Sequence, residues 1–131
     1  MKLNMTVLDK KYAIWMLDSN AMIPMWLLKE AFVSMTRTNE ELSIVCDQDF
    51  IGDHIDEIGN AKIYKNWSCL KIMGPLEFSL VGIISEISTV LAKAEISVFV
   101  VSTFNTDYIL INHEHLEKAV IVLNEFGITF V

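Results

Sequence analysis

A short polar turn between two apolar strands, in the stretch SVFVVSTFNTDYILIN, holds the side chains best suited to binding chemistry. It carries one carboxylate, Asp107, and beside it the neutral hydrogen-bonding residues Ser102, Thr103, Asn105 and Thr106. In a partly desolvated cleft a carboxylate makes charge-assisted hydrogen bonds, which are about twice as strong as neutral ones. Asp107 therefore predicts a site for an ammonium or guanidinium group. The alternative is that Asp107 only caps the hairpin turn through its own backbone.

The start of a predicted helix after GPLEF is a second candidate wall of the site. Its unpaired backbone N–H groups and the positive end of its dipole suit a carboxylate, and Glu77, Phe78 and Ser79 lie at its opening. Gly82 costs such a helix about 1 kcal/mol relative to Ala, so a close approach of backbone or ligand is one explanation. Tight packing of the helix on a sheet is another. Together the two walls predict a site for a small zwitterion.

Other clusters of polar residues do not form recognisable catalytic or metal sites. DQDFIGDHIDEI begins like a calcium loop, but Ile51 and Ile58 occupy its fifth and twelfth positions, where oxygen ligands are needed. His113 and His115, two residues apart at a helix start, point in different directions. His54 lies on an acidic helix face with no nucleophile paired to it in sequence. No P-loop, GxGxxG or GxSxG motif occurs, so we expect no enzyme, no cofactor and no metal.

The second half of the chain predicts the elements that position these walls. WSCLKIMG is a strand, and a helix over 79–94 follows because its apolar residues form one stripe. ISVFVVST and DYILI form an antiparallel hairpin, Asn112 caps a second amphipathic helix, Gly127 ends it, and ITFV is the last strand. The order βαββαβ is the split βαβ of ferredoxin-like domains.

The first half is a rougher copy of the same order. KYAIWML is a strand, AMIPMWLLKEA a short helix with Pro24 in its first turn, FVSMTR and ELSIVC a hairpin, DQDFIGDHIDEIG a helix, and AKIYK the closing strand. We therefore predict an α+β fold of two ferredoxin-like modules with antiparallel sheets, 1–65 and 66–131. Where the modules meet, main-chain groups of Ser43, Ile44 and Val45 are candidate ligand contacts, the alternative being plain strand packing.

Composition limits the classes of partner. The chain has 131 residues, 53% of them hydrophobic, and a net charge of −7. Nucleic acids and anionic membranes need a basic footprint, so we expect neither as a partner. Charged residues interrupt the apolar stretch near the N-terminus, and no signal peptide is predicted, which indicates a cytoplasmic protein. So much apolar material, and an apolar edge strand in SVFVV, predict covering by another strand or chain, and we expect a homodimer.

Cysteines, tryptophans and methionines are expected to serve the core. Cys46 and Cys69 lie in apolar strands without CxxC spacing, so we predict buried reduced thiols. The other side chains of this group could line a hydrophobic ligand pocket, but their spacing favours the core or a subunit interface. These are Trp15, Trp26, Trp67, Met16, Met22, Met25, Met35 and Met73.

The segments KIMGPLEFSLVGIISEIS and ISVFVVSTFNTDYILI resemble the ACT-domain proteins of the small tandem type. This bacterial group is related to the regulatory part of aspartate kinases and to the ACT repeats of the animal cytosolic arginine sensor. The likeness extends over nearly the whole chain, with SMTRTNEELSIVC as a shorter match in the first half. It implies a non-catalytic module that binds an amino acid effector where two ACT units meet. The alternative is an interaction module that regulates a partner enzyme without a ligand of its own.

Overall fold

The computed structural model describes residues 3–74 and 81–131, which fall into two compact units. The central unit is Lys10–Trp67, and the terminal unit combines Met1–Asp9 with Ser68–Val131. The described strands are β1 Asn4–Val7, β2 Tyr12–Leu17, β3 Val33–Arg37, β4 Leu42–Asp47, β5 Lys62–Ile72, β6 Phe99–Ser102, β7 Asp107–Asn112 and β8 Thr129–Phe130. The α-helices are α1 Gln48–Asp53, α2 Ile83–Lys93 and α3 Leu116–Phe126, and 3-10 helices lie at Met25–Lys29, Ile55–Glu57 and His113–His115.

The central unit is a sheet in the order β3-β4-β2-β5, with every neighbouring pair antiparallel. One face of this sheet is covered by the 3-10 helix Met25–Lys29 and by α1, whose Leu27 and Ile51 are fully buried. They pack with Trp15 and Ile44 from the two middle strands. The hydrophobic alternation of β2 and β4 therefore builds this core.

The terminal unit is a sheet in the order β6-β7-β5-β1-β8, with α2 and α3 packed over one face. Met5 of β1, Ile72 of β5 and Ile109 of β7 point into the core beneath the helices, with Leu91 and Leu123 above them. Strand β1 lies between β5, to which it is antiparallel, and β8, to which it is parallel. As predicted from the βαββαβ order, β6 lies at an edge, paired in the described residues with β7 alone.

The predicted hairpins, the last helix and the cap and stop residues agree with the structure, whereas the helix predicted over 79–94 is α2, whose first residue is Ile83. Asn112 accepts a hydrogen bond from the Glu114 N–H at the start of the 3-10 turn before α3, and Gly127, at φ +109°, ends α3. Strands and helices of both units make the predicted α+β fold. The prediction of antiparallel sheets is wrong for the terminal unit, because β1 and β8 pair in parallel. None of the helices in the described ranges is long and apolar enough to cross a membrane.

Three predicted elements differ from the structure. The helix expected in AMIPMWLLKEA is a 3-10 helix, because Pro24 with ψ 132° still belongs to the extended chain before it. The helix expected in DQDFIGDHIDEIG is shorter than predicted: α1 ends at Asp53, and a separate 3-10 helix follows at Ile55–Glu57. AKIYK and WSCLKIMG form one strand, β5, which passes through the predicted module boundary between 65 and 66. The division into modules 1–65 and 66–131 stays a prediction.

Candidate functional site

The β6–β7 turn is closed by two threonines. Ser102 and Asp107 form the last pair of the hairpin ladder. Inside the turn, the Thr103 N–H and hydroxyl both donate to the Thr106 carbonyl, at 2.8 Å and 3.0 Å, and the Thr106 N–H donates back to the Thr103 hydroxyl at 3.3 Å. Thr103 thus performs the capping role that was the alternative for Asp107.

Thr106 is a structural residue. It is 5% exposed, and its hydroxyl donates to the Ile72 carbonyl at 2.6 Å, which ties the hairpin to the end of β5. The proton of the Thr106 hydroxyl is used inside the protein, which leaves only its oxygen to accept a hydrogen bond, and the role of Thr106 in binding stays a prediction. Ser102 and Asn105, in contrast, are exposed and able to contact a ligand.

Asp107 lies on the helix-covered face of its sheet. Side chains alternate along β7, and Ile109 and Ile111 point into the core under α2 and α3, so Asp107 shares their side. Tyr108 points to the opposite face, where the Lys71 Nζ lies 5.9 Å from its ring centroid. Asp107 is half-buried, and its carboxylate makes no hydrogen bond or ion pair with any other described residue. A carboxylate in this setting is suited to bind a cation.

The start of α2 lies at the same end of the sheet as Asp107. The Thr106–Ile72 hydrogen bond places the beginning of β7 beside the end of β5. Ile84, in the first turn of α2, lines a small cavity with Val100 and Ile109, and Ile109 lies two residues from Asp107 on the same face of β7. The first N–H groups of α2 have no partners within the helix and carry the positive end of its dipole. A cation acceptor and an anion acceptor are thus grouped at one end of the terminal unit.

Gly82 precedes α2 and is not inside it. It has φ +82° and ψ −3°, and its carbonyl accepts the first helical hydrogen bond, from the Glu86 N–H at 2.9 Å. A Cβ added there would meet nothing within 4 Å, so close packing of the helix on the sheet does not explain the glycine. The close approach of a ligand stays a prediction. The left-handed backbone conformation at this position explains the glycine, since residues with a Cβ rarely adopt a positive φ.

Three predicted contacts in the helix opening lie outside the described residues. These are Glu77, Phe78 and Ser79, and their role in binding stays a prediction.

The predicted main-chain contacts of the first half lie on β4. Ser43, Ile44 and Val45 each pair with β2 on one side and β3 on the other. Ile44 and Val45 are also almost fully buried, at 0% and 2% exposed. Their backbone groups belong to the sheet, so a ligand would have to break strand pairs to reach them.

The three histidines have separate partners. His54 stacks on Trp26 with ring centroids 4.3 Å apart and pairs through Nδ1 with the Glu57 carboxylate. His113 Nδ1 lies 2.7 Å from the Ser68 hydroxyl, a contact between residues 45 positions apart that no sequence motif predicts. His115 lies 3.4 Å from the Glu114 carboxylate. Across residues 3–74 and 81–131, no three histidine, cysteine or acidic side chains are grouped to hold a metal ion.

Both cysteines are free and fully buried, as predicted. Burial raises the pKa of the Cys46 thiol to about 11, although the hydrogen bond from the Trp15 indole lowers it. Burial alone raises the pKa of the Cys69 thiol to about 12. Neither thiol is ionised near neutral pH, so both act as core residues.

Comparison with known proteins assigns the family. A model described as the ACT domain matches residues 62–125, and a model for an N-terminal domain matches residues 10–54. A solved protein from Agrobacterium tumefaciens is 34% identical, with 100% of this chain and 93% of that chain covered and a TM-score of 0.87. A Vibrio cholerae protein of unknown function, titled a possible transport protein, is 19% identical over 95% and 90% of the two chains, with a TM-score of 0.73. No curated protein matches significantly.

The fold is also that of regulatory chains. The ligand-free regulatory subunit of aspartate kinase from Thermus thermophilus superposes with a TM-score of 0.65, at 12% identity, over 91% of this chain and 95% of that one. The class of protein that the fold defines is thus a small α+β domain. The chain belongs to the ACT-domain proteins, whose family model matches residues 62–125, as its second-half motifs indicate.

Proposed function

We propose that this protein is a non-catalytic cytoplasmic regulator that binds a small zwitterionic amino acid. One observation carries the proposal. The half-buried Asp107 carboxylate, without a partner in the described part of the chain, lies at the end of the sheet where α2 begins. Membership of the ACT-domain family and the likeness to a regulatory subunit of aspartate kinase support the same function.

The effector is held by its two charged ends. Its ammonium donates to Asp107, and its carboxylate accepts from the free N–H groups in the first turn of α2. Ser102 and Asn105, exposed beside Asp107, add neutral hydrogen bonds. We place this site at an interface between ACT units, in a tandem of two modules that forms a homodimer, with binding biasing how the units dock.

The effector is neutral or cationic in this proposal. Lys71 lies on the opposite face of the sheet, over Tyr108. Lys93 is the last residue of α2, about 15 Å along the helix from its start, and Lys118 begins α3 after the far end of β7. No lysine or arginine of the terminal unit's described residues therefore stands near Asp107 to bind a second carboxylate, and Asp107 itself would repel one.

A thermal-shift screen of the twenty amino acids tests the proposal. A ligand that binds only the folded protein stabilises it by about 2.7 kcal/mol at 100 times its Kd, so one or more neutral or basic amino acids should raise the Tm. The acidic amino acids should leave it unchanged. If none of the twenty raises the Tm, the proposal fails.

The alternative function is an interaction module that regulates a partner enzyme without binding a ligand. It is favoured by the buried Thr106 hydroxyl, which leaves the turn with fewer ligand-binding groups than its sequence predicts. Co-purification of an enzyme with the chain, together with no response to amino acids, would select it.

A further inference from the structure

Glu30 of the central unit has a carboxylate oxygen that is buried without a hydrogen-bond donor. The residue follows the 3-10 helix Met25–Lys29, and its N–H donates to the Leu27 carbonyl at 3.2 Å. Its Oε2 atom is shielded from solvent and accepts no hydrogen bond from any residue in 3–74 and 81–131. A buried carboxylate is normally surrounded by donors or paired with a cation, because its desolvation is costly. The geometry at Glu30 therefore disfavours the ionised form.

The charged groups that face Glu30 act in the same direction. Burial raises the pKa of the Glu30 carboxyl, the Asp47 carboxylate raises it further, and the exposed Lys10 lowers it by less. Asp47 is fixed in place, since it accepts the Asp49 N–H at 2.9 Å at the start of α1. The nearby Cys46 thiol stays neutral, because burial raises its pKa to about 11. The net effect of these neighbours is to favour a proton on Glu30.

The 3-10 helix is attached to its sheet by apolar packing. Leu27 is fully buried, and Trp26 stacks on Trp15 and on His54, with centroid distances of 6.2 Å and 4.3 Å. The Trp26 indole N–H is buried and has no acceptor among the described residues. His54 is the other titratable group at this packing, and its charge is paired with Glu57. No polar contact of the Trp26 or Glu30 side chain therefore compensates for an ionised carboxylate at the end of the helix.

We propose that Glu30 is an acid-sensitive switch of the central unit: the 3-10 helix stays packed on the sheet while Glu30 is protonated and opens more often when Glu30 is ionised. The folded unit holds this proton more tightly than the unfolded chain does, so protonation stabilises the fold. That stability is fully present below the unfolded-state pKa of Glu30 and is lost as the pH rises through the higher folded-state pKa. The switch lies on the central unit and does not depend on the proposed effector site.

Thermal unfolding of the full chain from about pH 4 to about pH 8 tests the switch against Glu30→Gln, which has the shape of the protonated acid. The Tm of Glu30→Gln should exceed that of the wild type at the highest pH, and the two values should converge as the pH falls. Glu40→Gln, at an exposed acid of the central unit, should follow the wild type throughout. A Tm difference that is the same at every pH, or a lower Tm of Glu30→Gln at the highest pH, overturns the proposal.

An NMR titration of the Glu30 side-chain carboxyl carbon measures the proton affinity directly. Its midpoint should lie above 4.5, the ordinary pKa of a glutamate. Asp47→Asn, which keeps an oxygen to cap α1, should lower the midpoint, and Lys10→Gln should raise it. A midpoint at or below 4.5, or shifts of the opposite sign in the two variants, contradicts the assignment.

Hydrogen exchange separates opening of the helix from a general loss of stability. The Leu27 N–H donates to the Pro24 carbonyl at 3.1 Å and the Glu30 N–H donates to the Leu27 carbonyl, so both amides report whether the helix is closed. Their protection factors in the wild type should fall as the pH rises through the Glu30 midpoint, and Glu30→Gln should not show this fall. Protection that falls equally in both proteins overturns the switch.

Discussion

At the scale of single residues, hydrogen bonds separate the structural members of the hairpin turn from those free to bind. The sequence predicts Asp107, Ser102 and Asn105 as binding residues because a lone acid stands in a polar turn between apolar strands, and their binding role stays a prediction. The hydrogen bond from the Thr106 hydroxyl to the Ile72 carbonyl could not be predicted from the sequence, since the two residues are 34 positions apart and only the folded sheet brings them together. Gly82 was recognised as unusual, but its reason is a backbone angle that composition alone does not define.

The Thr106 hydroxyl is expected to stabilise the fold. Thr106→Val keeps the shape and leaves the buried Ile72 carbonyl without its donor, which should lower the free energy of unfolding by about 1–3 kcal/mol. Urea denaturation of the wild type and the variant measures the difference in free energy of unfolding. Thr89→Val removes an exposed hydroxyl that donates to the Ser85 carbonyl and should change stability by less than about 0.5 kcal/mol. Equal effects of the two substitutions would contradict the structural role.

Gly82 is expected to resist substitution for conformational reasons. Gly82→Ala should cost about 1–2 kcal/mol of unfolding free energy, because φ +82° is unfavourable for a residue with a Cβ. Gly52→Ala is the matched control: this glycine lies within α1, and a Cβ added there meets nothing within 4 Å. Its substitution should be neutral or stabilising by up to about 1 kcal/mol. Denaturation curves in which Gly82→Ala is no less stable than Gly52→Ala would refute this reason.

At the scale of elements, amphipathic periodicity located the hairpins and both long helices, because their apolar faces repeat without interruption. It missed β1, although Leu3, Met5 and Val7 alternate with polar residues as a half-buried strand requires. The strand is short, and it belongs to a sheet whose other members lie more than 60 residues away. The short helix in AMIPMWLLKEA was predicted, but its 3-10 type was not, since its five residues follow a proline and are set by contacts beneath them.

Strand β1 is expected to be essential to the core of the terminal unit. Met5 is fully buried, so Met5→Ala should lower the free energy of unfolding by about 2–5 kcal/mol. Val81→Ala, at a position 89% exposed in the same unit, should change it by less than about 0.5 kcal/mol. Chemical denaturation followed by circular dichroism compares the two, because all three tryptophans lie in the central unit. A cost below 1 kcal/mol at Met5 would mean that β1 is not part of the cooperative fold.

At the scale of the whole molecule, the two units carry separate surfaces. The terminal unit presents Asp107 and the start of α2, and the central unit presents the exposed apolar side chains Met22, Met25 and Leu28. The sequence predicted an oligomer from its apolar content and from the edge strand SVFVV, and it assigned Met22 and Met25 to the core or to a subunit interface. Their exposure was not predictable, because it depends on which side of a 3-10 helix is buried. The predicted tandem remains a proposal, since the ACT model covers residues 62–125 and a different model covers 10–54.

Calorimetric titration of the wild-type protein and Asp107→Asn with the amino acids that raise the Tm tests the central claim most directly. Asn keeps the shape and removes the charge, so we expect the Kd to rise about 10- to 100-fold, the equivalent of one charged hydrogen bond. The unliganded Tm should stay nearly unchanged, and Asp56→Asn, at an exposed acid of the central unit, should bind like the wild type. Equal Kd values for the wild type and Asp107→Asn would contradict the account.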